Sequence, residues 1–168
     1  AFLNDYPSGE FSNLAHQKLK EIENSKWELA LLKNSISGFQ SYLNEFPESK
    51  NSILAKKKII DLEVDQIFEE DHGYLPPMNA NTISDVKFLT NEIEIYNNTN
   101  YTLTVRYSGD KSVRIILTSK EKRTITLPNG NYRVTATVNT NNVQNYAGND
   151  ELIGSNYESE FYIETKML

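Results

Sequence analysis

The stretch Asp71-His72-Gly73-Tyr74-Leu75-Pro76-Pro77 divides this sequence of 168 residues into two parts of different composition. Before it, apolar residues recur at helical spacing among Lys and Glu; after it, Thr, Val, Ile, Tyr and Asn alternate as they do in strands. Consecutive prolines favour extended backbone and cannot continue a helix. We therefore predict an α+β protein with a helical region over 1–71, a proline-containing linker over 72–85 and an antiparallel β-sandwich over 86–168.

The overall composition excludes several classes of function. The chain has 17 basic and 23 acidic side chains, hence a net charge of −6, and this argues against a nucleic-acid partner, which requires a basic face. The absence of cysteine removes disulfides, thiolate metal sites and cysteine nucleophiles, and leaves the redox compartment undecided. No run of about 18 apolar residues occurs, so the sequence predicts no membrane span.

The helical region repeats itself at an offset of 40 residues. The segment Phe2-Leu3-Asn4-Asp5-Tyr6-Pro7 matches Tyr42-Leu43-Asn44-Glu45-Phe46-Pro47, and Leu14-Ala15 matches Leu54-Ala55. Self-similarity at such a period is typical of an array of helical hairpins, in which each hairpin packs against the next. We therefore expect four leucines at equivalent positions to be buried between helices: Leu3, Leu14, Leu43 and Leu54.

Helix boundaries follow from the apolar spacing and the polar residues that flank it. We predict helices over 10–23, 25–46 and 50–69, with a break in the middle one near Asn34-Ser35. Trp27, the only tryptophan, is expected to fill the core between helices rather than to stack on a ligand.

The repeated phrase, with its aromatic-leucine end, proline and alanine-centred helix, resembles tetratricopeptide-like repeats over about residues 1–66. The resemblance implies helical hairpins that contact a protein partner. About three repeats are normally needed for a free-standing array. Because Ala1-Phe2-Leu3 has the character of a last helical turn, we expect either a longer chain or a partner that covers the helices.

The second part alternates apolar and polar residues along several short segments. Ile93 and Ile95 should point inward between Glu92 and Glu94, and turn residues such as Ser108-Gly109-Asp110 separate the segments. Six or more such strands predict a two-sheet antiparallel sandwich. The residues expected to face inward on the other strands are Tyr101, Leu103, Val105, Tyr107, Val113, Ile115, Leu117, Ile125, Leu127, Tyr132, Val134, Ala136, Val138, Tyr157, Ser159, Phe161 and Ile163.

Residues 91–164 also resemble a β-domain of uncharacterised envelope or secreted proteins of Bacteroidetes. The residues that carry this resemblance include Ile93-Glu94-Ile95-Tyr96-Asn97-Asn98-Thr99, Tyr107-Ser108-Gly109 and Tyr146-Ala147-Gly148. The resemblance implies an extracytoplasmic location, in the periplasm or associated with the outer membrane, and no activity.

The sequence contains no recognisable catalytic constellation. His16 and His72 have no second histidine or fixed carboxylate at metal-ligand spacing, and no nucleophile elbow or glycine-rich phosphate loop occurs. Carboxylate pairs such as Glu92/Glu94 sit on the wet face of a strand, where they stay ionised. We predict no catalytic residues, no metal and no cofactor.

One segment, 139–156, is unusually long and rich in amides, with a tyrosine at its centre. It is either a ligand-binding loop or an extra hairpin whose asparagines tolerate tight turns. Its candidate ligand-contacting residues are Asn141, Asn142, Asn145, Tyr146, Asn149 and Asp150. The favoured function is a non-enzymatic protein-interaction or scaffold module of the bacterial envelope. The alternative is carbohydrate or cell-wall binding by the sandwich through this loop, against which stands the absence of tryptophan from the sandwich.

Overall fold

The computed structural model describes residues 10–81 and 88–163, in which three helices precede two β-sheets. The chain is α+β and divides into two compact units, Ala1–Ile59 and Ile60–Leu168, whereas the sequence suggested a border at 72–85. The helices are α1 (Glu10–Lys33), α2 (Ile36–Glu45) and α3 (Ser52–Glu69). The strands are β1 (Gly73–Tyr74), β2 (Thr90–Asn97), β3 (Leu103–Ser108), β4 (Val113–Leu117), β5 (Lys122–Pro128), β6 (Gly130–Val138), β7 (Tyr146–Leu152) and β8 (Asn156–Phe161).

Helix α1 continues through Ser25, where the sequence predicted the start of a new helix. No proline or glycine occurs in 10–33, and serine costs little inside a helix, so nothing ends α1 early. It ends where Asn34 adopts a positive φ of 41°. Ser35 then begins α2 as its N-cap, because its hydroxyl accepts a hydrogen bond from the backbone N–H of Gly38 at 3.1 Å. The predicted break near Asn34-Ser35 is confirmed.

The core of the first unit is built from aromatic rings. The ring of Trp27 on α1 lies 5.9 Å from that of Phe39 and 5.1 Å from that of Tyr42, both on α2. Phe39 and Tyr42 are buried, and Trp27 is partly covered. Trp27 therefore packs between helices, as predicted.

The predicted burial of the equivalent leucines is wrong at two positions. Leu43 is buried, but Leu14 is 52% exposed and Leu54 is 42% exposed; Leu3 lies outside the described residues. At about 100° per residue, Leu14 and Trp27 point about 140° apart around α1, so the side that contacts α2 is not the side of Leu14. The tetratricopeptide-like arrangement is not confirmed by the described helices.

The second unit contains a five-stranded sheet in the order β1-β7-β6-β3-β4 and a three-stranded sheet in the order β5-β2-β8. Buried residues of both sheets form one hydrophobic cluster, so this part is β-sandwich-like. The prediction of a purely antiparallel sandwich is wrong, because β1 pairs with β7 and β2 pairs with β8 in parallel. Alternation of apolar and polar residues does not encode strand direction.

The predicted alternation itself is confirmed on the central strands. Ile93 and Ile95 of β2 and Val105 and Tyr107 of β3 are buried in the shared core. Arg106, between the last two, points to the outer face of the five-stranded sheet, where it meets α3. The strand period therefore separates a dry inner face from a charged outer one.

The end of β2 is fixed by a buried amide. The side-chain N–H₂ of Asn97 donates to the backbone carbonyls of Tyr101, Leu117 and Thr118 at 2.8–3.1 Å. Its carbonyl oxygen accepts hydrogen bonds from the backbone N–H and the hydroxyl of Thr99. Asn97 therefore satisfies backbone groups from two turns that would otherwise be buried without partners.

The first residues of the predicted linker are bound along β7, and Ala80 and Asn81 pair with β8. Gly73 donates its N–H to the carbonyl of Asn145 at 2.8 Å, and Leu75 donates to Ala147 at 2.9 Å. The approach is so close at Gly148 that a Cβ there would lie 2.0 Å from the carbonyl oxygen of Leu75. Glycine is required at this position for steric reasons.

Ion pairs hold the second half of α3 on the outer face of the five-stranded sheet. Glu63 binds Arg106 and Arg114, whose strands are neighbours. Asp65 pairs with Arg133 of β6, whose guanidinium also lies 5.4 Å from the centre of the Phe68 ring. Three of the four arginines in the sequence therefore hold this helix on the sheet.

Candidate functional site

The segment predicted as one long loop, 139–156, contains a strand. Only its first residues form a turn before β7 begins at Tyr146, and a second short turn follows Leu152. Strand β7 pairs with β6 through a regular antiparallel register in which Tyr132 opposes Asp150. The alternative of an extra hairpin is confirmed, and the interpretation of 139–156 as one long loop is wrong. The polar residues of β7 (Asn149 and Glu151) alternate with residues that are buried.

The structure does not bring the six candidate residues together. Asn141 and Asn142 occupy the turn, and Asn145 uses its backbone carbonyl to bind the linker segment. Tyr146 and Asp150 are four residues apart on one strand, or about 13 Å. The ring of Tyr146 covers Gly73, where a Cβ would lie 2.5 Å from a ring carbon.

Asn149 and Asp150 do line a surface cavity of about 650 Å³ at one end of the five-stranded sheet. We call it the sheet-end cavity. It lies where β3 ends, β6 begins and β7 ends, and all its lining residues belong to the second unit. The lining residues are Asp61, Pro77, Met78, Ser108, Gly109, Asn131, Tyr132, Arg133, Asn149, Asp150 and Glu151.

Asp150 is the most buried carboxylate of this cavity, with 7% of its surface exposed. Its Oδ1 accepts a hydrogen bond from the backbone N–H of Met78 at 2.7 Å. Burial raises the pKa of Asp150 above its usual 3.8, and the bond from Met78 opposes this rise. The pKa of the nearby Tyr107 is also raised, first by burial and then by the negative charge of Asp150. Tyr107 therefore stays protonated.

On the helix side of the cavity, Asp61 accepts hydrogen bonds from two serine hydroxyls. Ser108 donates from the end of β3 at 2.8 Å, and Ser112 donates from the turn that follows. Arg133 enters the cavity from β6 while it pairs with Asp65. Sequence reasoning missed Asp61 and Arg133 as site residues. No local motif in the sequence marks either residue, because Asp61 lies on a helix and Arg133 on a strand far along the chain.

The sheet-end cavity therefore offers carboxylates, side-chain amides, two hydroxyls and one guanidinium. These groups form directional hydrogen bonds with a polar ligand. Within the described residues 10–81 and 88–163, no group of three or more His, Asp or Glu side chains is placed so that it could hold a metal ion. In the same ranges, every helix is too short or too polar to cross a membrane.

The two histidines take part in local contacts. The Nδ1 of His16 lies 2.8 Å from the backbone carbonyl of Ser12, one turn earlier in α1. His72 lies 3.1 Å from the carbonyl of Gly73, and its ring is 5.5 Å from that of Phe68. Neither lines the sheet-end cavity.

A second candidate surface is a side of α1 other than the side on which Trp27 packs against α2. We call it the α1 apolar face. At Leu29 this surface borders the groove between α1 and α2. The exposed fraction of its large apolar residues ranges from 45% at Leu29 to 83% at Leu32. Large apolar side chains at helical spacing rarely remain in water on one side of a helix unless they have a binding role. The residues of this face are Phe11, Leu14, Leu19, Ile22, Leu29 and Leu32.

Comparison with known proteins gives one family. Residues 50–163 match the family described as a domain of unknown function (DUF6759). No curated protein matches the chain. Among solved structures, a CARDB domain from Pyrococcus furiosus, solved in complex with di-metal ions, aligns at 14% identity and a TM-score of 0.18. That alignment covers 48% of this chain and all of the CARDB chain.

The family match begins at residue 50, directly before α3, and ends with the strands at residue 163. It therefore includes the helix that the arginines hold on the five-stranded sheet, and it includes every residue of the sheet-end cavity. Since the match spans well over half of the sequence, the chain belongs to the DUF6759 family.

Proposed function

We propose that this protein is a non-enzymatic interaction module whose first unit binds a protein partner through the α1 apolar face. The observation that carries the proposal is the exposure of six large apolar side chains along one side of a single helix. Burial of apolar surface is the main driving force of protein association, at about 25 cal/mol per Å². A partner that presents its own apolar helix would bury this face.

The sequence repeat supports the same proposal. Leu14 and Leu54 occupy equivalent positions at the 40-residue offset, and both remain substantially exposed. In tetratricopeptide-like arrays, helical hairpins bury such residues against neighbouring elements. An arrangement of this kind, completed by a partner helix, would cover both leucines.

Site-specific photo-crosslinking tests the proposal in cells that naturally make the protein. Benzoylphenylalanine at Ile22 or Leu32 should give covalent adducts with a defined protein, whereas the same group at the exposed Asn24, on another side of α1, should not. The adduct partner, once purified, should bind the chain at least tenfold more weakly when Ile22→Glu is introduced. Equal adducts from all three positions would contradict the proposal.

A second candidate function is carbohydrate binding by the sheet-end cavity. The observation that favours it is that a buried carboxylate, Asp150, and an exposed amide, Asn149, both line one cavity. Planar carboxylate and amide groups bind neighbouring sugar hydroxyls through several hydrogen bonds. The proposed binding site is therefore limited to the end of β7, whereas the sequence suggests the whole of 139–156.

A glycan array with matched variants tests this second candidate. Binding to a specific glycan should fall at least tenfold in Asp150→Asn and Asn149→Ala. Asn142→Ala should bind normally, because Asn142 lies in the turn at the other end of β7. Loss of binding in Asn142→Ala alone would place the ligand on the turn, and no bound glycan would remove the candidate.

A further inference from the structure

We infer that the partner of the α1 apolar face is a second copy of this chain, bound so that the two α1 helices run parallel as a short coiled coil. This inference rests on the proposed function and names its partner. It comes from the heptad positions that the exposed residues of α1 occupy, and from the charges that flank them.

A seven-residue repeat fits the exposed side of α1. The a positions are Ala15, Ile22 and Leu29, and the d positions are Phe11, Lys18, Ser25 and Leu32. Five of these seven residues are apolar, and four of the five are at least 45% exposed. The side that carries them differs from the side of Trp27, which packs against α2, and only Leu29 among them borders the groove between the two helices.

The flanking charges specify a parallel pair. Glu21 and Glu28 occupy g positions, and Lys26 and Lys33 occupy e positions. In a parallel two-stranded coiled coil, each g residue faces the e residue five positions later on the other helix. Glu21 would therefore face Lys26 of the second copy, and Glu28 would face Lys33. An antiparallel pair would instead place g beside g, and so bring glutamates together.

The contacts that these residues make within one chain do not oppose the pairing. Lys26 bonds Glu45 at 3.0 Å, but both side chains are more than 40% exposed. Glu21 bonds Lys18, one turn away, and both are at least 50% exposed. Exposed ion pairs of this kind contribute little and exchange easily.

The polar d positions set the strength of the dimer. Lys18 and Ser25 interrupt the apolar seam, and polar residues in a seam reduce the stability of a coiled coil while they fix its register. With 24 residues, α1 is about 36 Å long and supplies little more than three heptads. We therefore expect a dimer whose population rises with concentration in the micromolar range.

Sedimentation equilibrium of the whole chain tests the dimer. The wild type should shift from monomer to dimer as its concentration rises. Glu28→Lys should weaken dimerisation at least tenfold, because two lysines then face each other, and Glu28→Lys with Lys33→Glu should restore it. The near-ultraviolet spectrum of Trp27 should be unchanged in both variants, which shows that the first unit remains folded. A chain that stays monomeric at all concentrations overturns the inference.

Introduced cysteines test the orientation, because the chain has none of its own. Leu32→Cys should form a disulfide with itself in the parallel dimer, and Asn24→Cys should not. In an antiparallel dimer, where each d residue faces an a residue, Leu32→Cys would instead pair with Ala15→Cys when the two variants are mixed, and this result overturns the inference.

The photo-crosslinking experiment distinguishes failure of the dimer from failure of the proposed function. Adducts of Ile22 or Leu32 with a second copy support both the proposed function and the dimer. Adducts with a different protein, from a chain that is monomeric, leave the proposed function and overturn the dimer. A monomeric chain without adducts overturns both.

Discussion

The carboxylate of Glu63 on α3 accepts a hydrogen bond from the Nε of Arg106 on β3 at 2.7 Å. The two side chains are only 21% and 15% exposed, so this contact is partly shielded from water. Arg114 of the neighbouring strand binds the same carboxylate. One acid therefore neutralises two arginines beneath the helix.

We expect Glu63→Ala to lower the free energy of unfolding by about 2 kcal/mol. The substitution leaves two partly buried guanidinium groups without their acceptor, and hydrogen bonds to charged groups contribute about 1.5–3 kcal/mol. Urea unfolding measures the effect. Glu69→Ala, an exposed change near the end of the same helix, should cost less than about 0.5 kcal/mol. Equal costs would show that the ion pairs do not stabilise the fold.

We expect Asn97→Ala to lower the free energy of unfolding by about 3 kcal/mol. The change removes the donor for three backbone carbonyls and the acceptor for Thr99, and each buried polar group left without a partner costs about 1–3 kcal/mol. Asn100→Ala, on the exposed turn nearby, is the matched control and should have little effect. A loss below about 1 kcal/mol for Asn97→Ala would contradict the assigned role.

We expect Asp150→Asn to gain stability relative to the wild type as pH rises from 3 to 7. Burial raises the pKa of Asp150 in the folded state, so the neutral form is favoured there. The stability that this provides is present below the unfolded pKa and is lost as pH rises through the folded pKa. The asparagine variant has no such loss. Urea unfolding of both proteins across this range measures the difference, and a difference independent of pH would refute the prediction.

We expect Leu43→Ala to cost about 2–5 kcal/mol, because Leu43 is buried and its removal leaves a cavity. Leu54→Ala should cost clearly less, since 42% of Leu54 is already exposed. This difference departs from the equal costs that the sequence repeat predicts, in which both leucines are equivalent core residues. Equal losses in unfolding free energy for the two variants would show that Leu43 and Leu54 are packed equivalently, as the repeat predicts.

Much of the fold could be predicted from local pattern. Alternation identified the inward residues of β2 and β3, and Asn34-Ser35 marked the end of α1 because a positive φ and a cap need such residues. The direction of β8 could not be predicted, because its parallel partner β2 is distant in sequence. The exposure of Leu14 depends on which side of α1 meets α2, and a repeat alone does not define that side.

The candidate site was less predictable for a related reason. Composition alone indicates Asn149 and Asp150, but it groups them with Asn141 and Asn142 only because all four are close in sequence. The strand β7 separates these pairs along its length. Asp61 joins the cavity from a helix, more than 80 positions earlier in the chain, and no local motif links it to Asp150.

The pairing of β2 with β8 also has a consequence for synthesis on the ribosome. Glu92 of β2 pairs with Asn156 of β8, 64 positions later in the chain. One edge of β2 therefore has no partner strand until β8 has left the ribosome. Before that moment, β2 and β5 form only a two-stranded ribbon whose free backbone groups could bind another nascent chain. At about 5–20 residues per second, this exposure lasts several seconds. The alternating glutamates Glu92 and Glu94 place negative charge on this ribbon, and charge of that kind discourages edge-to-edge association.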